Sequence, residues 1–345
     1  YKTRLEPTNK KLLLFYTLSI GVFSKYFVLI PSVYIGVNAP AIFQIFSTFT
    51  YAAIFLLYSI GQKNNSYKIL FYIFVFMEMG SSFLVLSKEY LYMSIIFASF
   101  VVFFYSKNLK NIIFVGLISG ILYITIVQNL FLVLRNIGEG NFGITSTEQL
   151  ENAFDTARTI TDGTSNGETI ASFQAWWDRL SYAKYQGYAI EAYDMGYPGE
   201  TFKQFKYIFI PRLIYPDKPN LNPGAAYNNL VQGSFFEKAP NSTGPGLFIE
   251  AYWNGGWRYV IITIIYFALL LFYFSKIVVK NLKEKNYIIL MLAVNAIYIG
   301  RGIDDWFVGR YGGFIFNMVI LYLFHVFIYK TLETIFNTTK IKLNE

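Results

Sequence analysis

Long apolar runs separated by short polar segments are the feature that most limits how this chain can fold. About 20 apolar residues in a helix cross the ~30 Å hydrocarbon core of a bilayer. Only 14% of the residues are charged, whereas soluble domains carry about 25%. We therefore predict an all-α polytopic membrane protein with eight spans, at about Leu12–Ile30, Ala39–Ile60, Ile69–Leu86, Leu91–Tyr105, Ile112–Leu134, Trp257–Phe274, Tyr287–Ile299 and Gly313–Tyr329.

The charges between the runs predict how the spans are oriented. Lysine dominates the N-terminus, the second, fourth and sixth loops and the C-terminus, which all fall on one side if there are eight spans. Short basic loops stay in the cytoplasm. The prediction is a membrane region with about five spans over residues 1–134, a large external loop region with short helices over residues 135–256, and about three spans with a cytoplasmic tail over residues 257–345.

Arginine is distributed differently from lysine. Only Arg4 is predicted inside, and the other arginines are predicted outside or at the outer membrane edge: Arg135, Arg158, Arg179, Arg212, Arg258, Arg301 and Arg310. A guanidinium group binds phosphate or carboxylate through two parallel hydrogen bonds, which an ammonium group does not do. This asymmetry indicates a diphosphate or polyanion site on the outer face. Salt bridges with loop carboxylates such as Asp155 and Asp178 are the structural alternative.

The segment Ile210–Pro219 combines three prolines with Arg212, Asp217 and Lys218. Each proline fixes its own φ, removes a backbone donor and pushes the preceding residue towards extended geometry. We expect a stiff segment that holds these charges in fixed directions, as a binding site requires. The alternative is a loop that only connects two membrane segments, because prolines collect in loops.

Helical patterns precede this segment. Glu168–Asp194 carries aromatic and apolar residues at helical spacing, which predicts an amphipathic helix at the membrane interface or on the loop's own core. Gly196–Gly199 is predicted to end this helix. Thr201–Ile210 is predicted to be a further short helix, stopped by Pro211.

Glu250 is the leading candidate for a general base. It lies in an apolar and aromatic run at the membrane edge, where burial disfavours the charged form of a carboxylate unless an arginine pairs with it. The single histidine, His325, lies in the last apolar run, so a base in the outer region has to be a carboxylate or a tyrosine. Asp217 is the second candidate. An ion pair with an arginine is the alternative role for Glu250.

Two charged residues lie inside predicted spans, Lys25 in the first and Glu78 in the third. A charge inside a membrane is costly, and such residues are usually functional or paired with one another. An ion pair between Lys25 and Glu78 would satisfy both.

The segment Ile210–Pro219, followed by Gly246–Glu250 and the turn Asn254–Trp257, resembles the Wzy-type polymerases of bacteria, which join the repeat units of O-antigens, common antigens and exopolysaccharides. The resemblance covers about Trp176–Trp257 well and the multi-span layout loosely. Its most specific part is the proline–arginine–proline motif. Family members often have more than eight spans, which agrees with either missing N-terminal spans or a short variant.

The resemblance implies an inverting, lipid-dependent glycosyltransferase with the C-type membrane fold that the O-antigen ligases share. Its expected place is the bacterial cytoplasmic membrane, with the large loop on the periplasmic or external side. The donor is a growing glycan on undecaprenyl diphosphate, and the acceptor is a single repeat unit on the same lipid. Neither a cofactor, a metal nor a nucleic acid is implied. A protein that regulates chain length is a further partner that the resemblance allows.

For this reaction we predict three catalytic residues. Arg212 stabilises the charge of the departing diphosphate, Glu250 activates the acceptor hydroxyl, and Asp217 is the alternative base or orients the acceptor. Further arginines, a lysine and the aromatic side chains that stack on sugars are the predicted substrate-binding residues: Arg135, Arg179, Lys218, Tyr215, Tyr252, Trp253, Arg258, Arg301 and Arg310, with Trp257 as a further stacking residue.

Three other functions remain open. A flippase or channel for an anionic lipid-linked sugar would also need external arginines, although it would place more polar groups near mid-membrane. A ligase of the related class uses a histidine in its outer loop, and this sequence has none there. A scaffold subunit of an envelope assembly is the third alternative.

Overall fold

The computed structural model describes residues 9–106 except 36, 38 and 86, and residues 183–335 with gaps at 209, 211–214, 219–223, 233–243, 285–288, 301–305, 308–310 and 312–313, together with residues 110, 113 and 116. Every regular element among them is helical, as the apolar runs predict. Five of these helices are long and apolar enough to cross a membrane, and a further apolar helix over Tyr90–Tyr105 is shorter. The chain divides into two compact units, residues 8–175 and residues 176–345 with residues 1–7.

The described part of the first unit consists of α1 Lys10–Ile35, α2 Ala41–Ser47, α3 Phe49–Gly61, α4 Asn65–Leu84 and α5 Lys88–Ser106. Asn9 and Asn64 begin α1 and α4, because each side chain accepts a hydrogen bond from a backbone amide that the helix leaves unpaired. The first four predicted spans are helical, although α2 and α3 meet at Thr48 instead of forming one regular helix. The predicted span Ile112–Leu134 lies outside the described residues.

α3 lies inside this group of helices, and its residues from Phe49 to Leu57 are buried. α1 approaches it closely at Gly21, where an added Cβ would lie 2.7 Å from the backbone nitrogen of Thr50. Small residues at a helix crossing allow two backbones to approach in this way. A hydrogen bond from Nζ of Lys10 to the Ser59 hydroxyl oxygen, at 2.7 Å, also joins α1 to α3.

The ion pair that the sequence leaves open between Lys25 and Glu78 is present. Nζ of Lys25 lies 2.7 Å from Oε2 of Glu78, and the two side chains are 1% and 0% exposed. The Tyr26 hydroxyl donates to Oε1 of Glu78 at 2.8 Å, and the Thr50 hydroxyl donates to Oε2 at 3.0 Å. The Lys25 ammonium also lies 4.5 Å from the ring centroid of Tyr90. Charge and hydrogen-bonding capacity are therefore matched among α1, α3, α4 and α5.

The helix α1 is π-helical over Phe23–Leu29, the stretch that carries both residues of α1 that reach Glu78. π-helices are rare, and single π-helical turns inside α-helices are frequent at functional sites. Here the turn allows two consecutive side chains, Lys25 and Tyr26, to bind the two oxygens of one carboxylate.

The described part of the second unit consists of α6 Ala183–Asp194, a 3₁₀ helix over Thr201–Tyr207, α7 Gly224–Gln232, α8 Leu247–Lys283, α9 Ile289–Gly300 and α10 Phe314–Phe324, which continues as a π-helical turn over His325–Tyr329. The predicted spans Trp257–Phe274 and Gly313–Tyr329 fall on α8 and α10. α9 covers the described part of the predicted run Tyr287–Ile299, and the residues that flank it, 285–288 and 301–305, lie outside the described residues.

The predicted end of the amphipathic helix at Gly196–Gly199 is confirmed. Gly196 has φ 89°, a left-handed conformation that glycine adopts without steric cost. Its amide donates to the carbonyl of Tyr193, and the amide of Tyr197 donates to the carbonyl of Ala192. These two bonds are the Schellman arrangement that ends many helices. The part of the predicted helix that precedes Ala183 lies outside the described residues.

One boundary differs from the predictions. The helix expected over Thr201–Ile210 is a 3₁₀ helix that ends at Tyr207. The span expected to begin at Trp257 follows a break at Gly255 and Gly256, where a turn was predicted. A helical stretch from Leu247 precedes this break, and it was not predicted.

Candidate functional site

A break inside α8 defines the candidate site. The helical path is interrupted at Gly255 and Gly256, and Gly256 has φ 62°. A Cβ added to Gly256 would lie 2.7 Å from the Tyr193 hydroxyl oxygen, so both the conformation and the space require glycine. The break separates an arm, residues 247–254, from the long apolar part of α8, residues 257–283, and the whole of α8 is apolar enough to cross a membrane.

Glu250 lies at the centre of the arm and is fully buried. Its Oε1 accepts a hydrogen bond from the Thr201 hydroxyl at 2.6 Å, and its Oε2 accepts one from the backbone amide of Phe307. These contacts join residues that are 49 and 57 positions apart in the sequence. One carboxylate thus joins the arm, the 3₁₀ helix and the segment between α9 and α10.

Asn254 extends this network by one helical turn. Its Nδ2 donates to the Thr201 hydroxyl oxygen and to the backbone carbonyl of Glu250, both at 2.8 Å, and its Oδ1 accepts from the amide of Phe202 at 3.0 Å. Thr201 therefore accepts from Asn254 while it donates to Glu250. Hydrogen bonds in such a chain strengthen one another in surroundings of low dielectric constant.

Apolar and aromatic packing encloses the network on two sides. One buried cluster contains Leu247, Phe307, Tyr311 and Phe314. The other contains Ala189, Tyr227 and Trp306, with Trp253 packed against it. Burial raises the pKa of the Tyr227 hydroxyl above its ordinary value, and this hydroxyl donates to the backbone carbonyl of Tyr185. The surroundings of Glu250 therefore stabilise a fixed arrangement of these segments.

An aromatic shelf, formed by Tyr193, Tyr252 and Trp257, lies where the break meets the long apolar part of α8. Tyr252 makes edge contacts with Tyr193 and Trp257, with ring centroids 5.1 Å and 5.6 Å apart. Trp257 is 71% exposed. The Tyr252 hydroxyl donates to Oδ1 of Asp194 at 2.8 Å, and Asp194 is exposed. An exposed indole beside a hydroxyl and a carboxylate can contact both the apolar face and the hydroxyl groups of a sugar.

The predicted stacking residue Trp253 has a different environment from Trp257. Its indole nitrogen donates to the backbone carbonyl of Tyr197 at 3.1 Å, and a Cβ on Gly199 would lie 2.6 Å from its ring. The ring also packs against Tyr227 and Trp306. These contacts favour a packing role for Trp253.

In the proline-rich segment the structure describes Tyr215, Asp217 and Lys218, which lie at the other end of the 3₁₀ helix. Nζ of Lys218 donates to the carbonyl of Ile210 at 2.9 Å, and the ring of Tyr215 stacks on Tyr207 with centroids 6.0 Å apart. Asp217 is exposed. Glu250 binds the helix at Thr201, so about 12 Å of 3₁₀ helix separates the two groups.

Among the arginines predicted to bind substrate, Arg258 is the one that the structure describes. Arg258 is exposed and follows the break by two residues. The remaining arginines of the prediction lie outside the described residues: Arg135, Arg179, Arg212, Arg301 and Arg310. Their roles stay predictions.

Sequence reasoning identified Glu250 but not its partners. Thr201 and Phe307 are far away in sequence and carry no local signal. Asn254 could have been found, because it lies four residues after Glu250 on the same helix face. Asp194 could also have been weighed, as the last residue of a predicted amphipathic helix. Both oxygens of Glu250 accept hydrogen bonds from the protein, so the geometry favours a positioning role over direct proton abstraction.

In comparisons with known proteins, no protein-family model, no curated protein and no solved structure matches this chain.

Proposed function

We propose that this chain polymerises lipid-linked glycan repeat units by inverting glycosyl transfer at the outer face of a bacterial cytoplasmic membrane, with a C-type glycosyltransferase fold. The observation that carries the proposal is the contact network of Glu250 at the membrane edge. It holds together three segments whose sequence neighbours include Arg212, Arg258 and Arg310.

In the proposed reaction, the terminal hydroxyl oxygen of the acceptor attacks the anomeric carbon of the donor. A new glycosidic bond forms, and the bond between that carbon and the diphosphate oxygen breaks. Undecaprenyl diphosphate leaves with the bonding electron pair, and the proton of the hydroxyl passes to a carboxylate. Attack from the face opposite the diphosphate inverts the configuration at the anomeric carbon.

The proposed roles combine the sequence predictions with the geometry. Arg212 binds the leaving diphosphate, where a preorganised guanidinium group stabilises developing negative charge. Glu250 is a positioning residue that holds the 3₁₀ helix and Phe307 against the arm. Asp217 and Asp194 are exposed carboxylates that an acceptor hydroxyl can reach. The exposed indole of Trp257 supports a sugar ring.

The decisive experiment compares Arg212→Ala with Arg4→Ala in purified protein supplied with lipid-linked repeat units. We expect Arg212→Ala to abolish chain growth while the protein remains in the membrane, because the leaving diphosphate loses its cation. Arg4→Ala removes the same group from the predicted inner side and is expected to give normal glycan ladders. Normal ladders from Arg212→Ala would remove this residue from the site.

Transport of a lipid-linked glycan is the second candidate function, and the ion pair of Lys25 and Glu78 is the observation that favours it. Charged residues inside a membrane often mark a transport pathway. The same purified protein distinguishes the two functions. Longer glycans support a polymerase, whereas movement of lipid-linked units between leaflets without new glycosidic bonds supports a transporter.

A further inference from the structure

One face of α8 changes from apolar to basic along a single stripe. Its exposed residues recur at intervals of three and four: Ile265, Leu269, Phe272, Lys276, Lys280 and Lys283. Side chains at this spacing lie on one side of a helix. The first three are apolar and the last three are basic, so the stripe has an apolar half and a cationic half.

The length of α8 places the change in character at a membrane boundary. Lys276 follows Trp257 by about 29 Å of helix, close to the ~30 Å of a hydrocarbon core. Tryptophan is enriched at the interface between membrane and water, and Trp257 is exposed. With Trp257 at one boundary, Lys276 lies at the other, and α8 continues for about 10 Å beyond it to Lys283.

The three lysines line an open recess together with Ser275 and Val279. The Lys276 ammonium lies 5.9 Å from the ring centroid of Phe272. The sequence of α8 has no acidic residue after Glu250, and Glu284 is the first to follow. In the part of the chain that the structure describes, the ion pairs involve Lys25 and Lys203, not these lysines.

We propose that this stripe binds one anionic phospholipid of the leaflet opposite Trp257. The headgroup phosphate contacts Lys276, Lys280 and Lys283, and an acyl chain lies along Leu269 and Phe272. The charge of the recess complements a phosphate, and the apolar half continues directly into the hydrocarbon region. Lysines near a membrane surface each contribute to the attraction of anionic lipid. This site is separate from the proposed glycan reaction at the other end of the long apolar part of α8.

The test uses the full chain in a non-ionic detergent, stripped of bound lipid by washing. It is titrated with dioctanoyl phosphatidylglycerol, dioctanoyl phosphatidylcholine or inorganic phosphate, and binding is followed by native mass spectrometry and by the shift in Tm. The stripe variant is Lys276→Gln/Lys280→Gln/Lys283→Gln. The matched control is Lys184→Gln/Lys203→Gln/Lys206→Gln, which removes three exposed lysines from the region of α6 and the 3₁₀ helix.

We expect the protein to bind phosphatidylglycerol in preference to phosphatidylcholine. The stripe variant is expected to bind it about 100-fold more weakly, at about fivefold per lysine, and the control variant to bind it normally. Unchanged binding by the stripe variant, or equal loss in both variants, would overturn the proposal. Inorganic phosphate that binds as tightly as the lipid would identify a site for free phosphate. If the triple variant does not fold, the single variant Lys280→Gln replaces it in the test. We expect this variant to bind phosphatidylglycerol about fivefold more weakly.

Discussion

Glu78 and Glu250 are both fully buried carboxylates, yet they join their surroundings by different means. Glu78 lies 2.7 Å from the ammonium of Lys25, and its other donors are two hydroxyl groups on neighbouring helices. The described donors to the side chain of Glu250 are a hydroxyl group and a backbone amide. Glu78 is therefore part of a charge pair among apolar helices, and Glu250 holds segments that bound a break in α8 through a hydroxyl group and a backbone amide.

This difference determines which substitutions each carboxylate tolerates. A buried pair with balanced charge can be replaced by apolar side chains, because both desolvation costs disappear together. A carboxylate that holds a backbone amide cannot be replaced in this way, because the amide stays and needs an acceptor. The first arrangement specifies how helices meet, and the second fixes the shape of the candidate site.

The largest expected effect comes from Lys25→Met, which leaves Glu78 buried without its cation. We expect a loss of about 3–5 kcal/mol in the free energy of unfolding, measured by titration with sodium dodecyl sulfate in mixed micelles. The double variant Lys25→Met/Glu78→Leu is expected to recover most of this loss. If the double variant has the same low free energy of unfolding as Lys25→Met, the loss of stability does not come from leaving Glu78 unpaired.

A smaller effect is expected from Glu250→Ala, because it removes the acceptor of two buried donors. We expect a loss of about 2–4 kcal/mol by the same measurement. Adding Thr201→Val is not expected to restore stability, since the amide of Phe307 still lacks its acceptor. Recovery in that double variant would contradict the distinction drawn between the two carboxylates.

The smallest effect concerns the break itself. Gly256→Ala forces an L-residue to φ 62° and places a Cβ close to Tyr193, so we expect a loss of about 1–2 kcal/mol. Gly187→Ala in α6 meets no atom within 4 Å and is expected to stabilise the protein by about 0.5–1 kcal/mol. Thermal unfolding in detergent measures both. A Gly256→Ala variant as stable as the wild type would show that the arm does not require the left-handed conformation.

Local patterns predicted the helices and left one tertiary contact open. Charges inside apolar runs are so costly that Lys25 and Glu78 were expected to be functional or paired, and their pairing with each other was one of these possibilities. The Schellman end of α6 was visible in its glycines for a similar reason, because few residues adopt φ 89°. In each case the residue type allows few structures: a charge in an apolar run needs a partner, and a left-handed backbone conformation favours glycine.

The candidate site was only partly predictable. A hydroxyl group such as that of Thr201 has many partners open to it, and a backbone amide such as that of Phe307 is the same in every residue. Their convergence on Glu250 depends on how segments 49 and 57 residues apart pack together. The break at Gly255 and Gly256 agrees with the predicted turn, whereas the helical arm before it was not predicted. In α8 the contacts of Glu250 and Asn254 stabilise a helical arm before the pair.

The π-helical turn of α1 has a consequence for how this helix can change over time. It holds an extra residue relative to a regular helix of the same rise, so losing one codon between Phe23 and Leu29 would restore the regular repeat. The helix on either side of the turn would keep its orientation, but Lys25 and Tyr26 would no longer both face Glu78. A lineage that keeps Lys25 in place is therefore expected to conserve the length of α1 more strictly than the identity of its outward-facing residues.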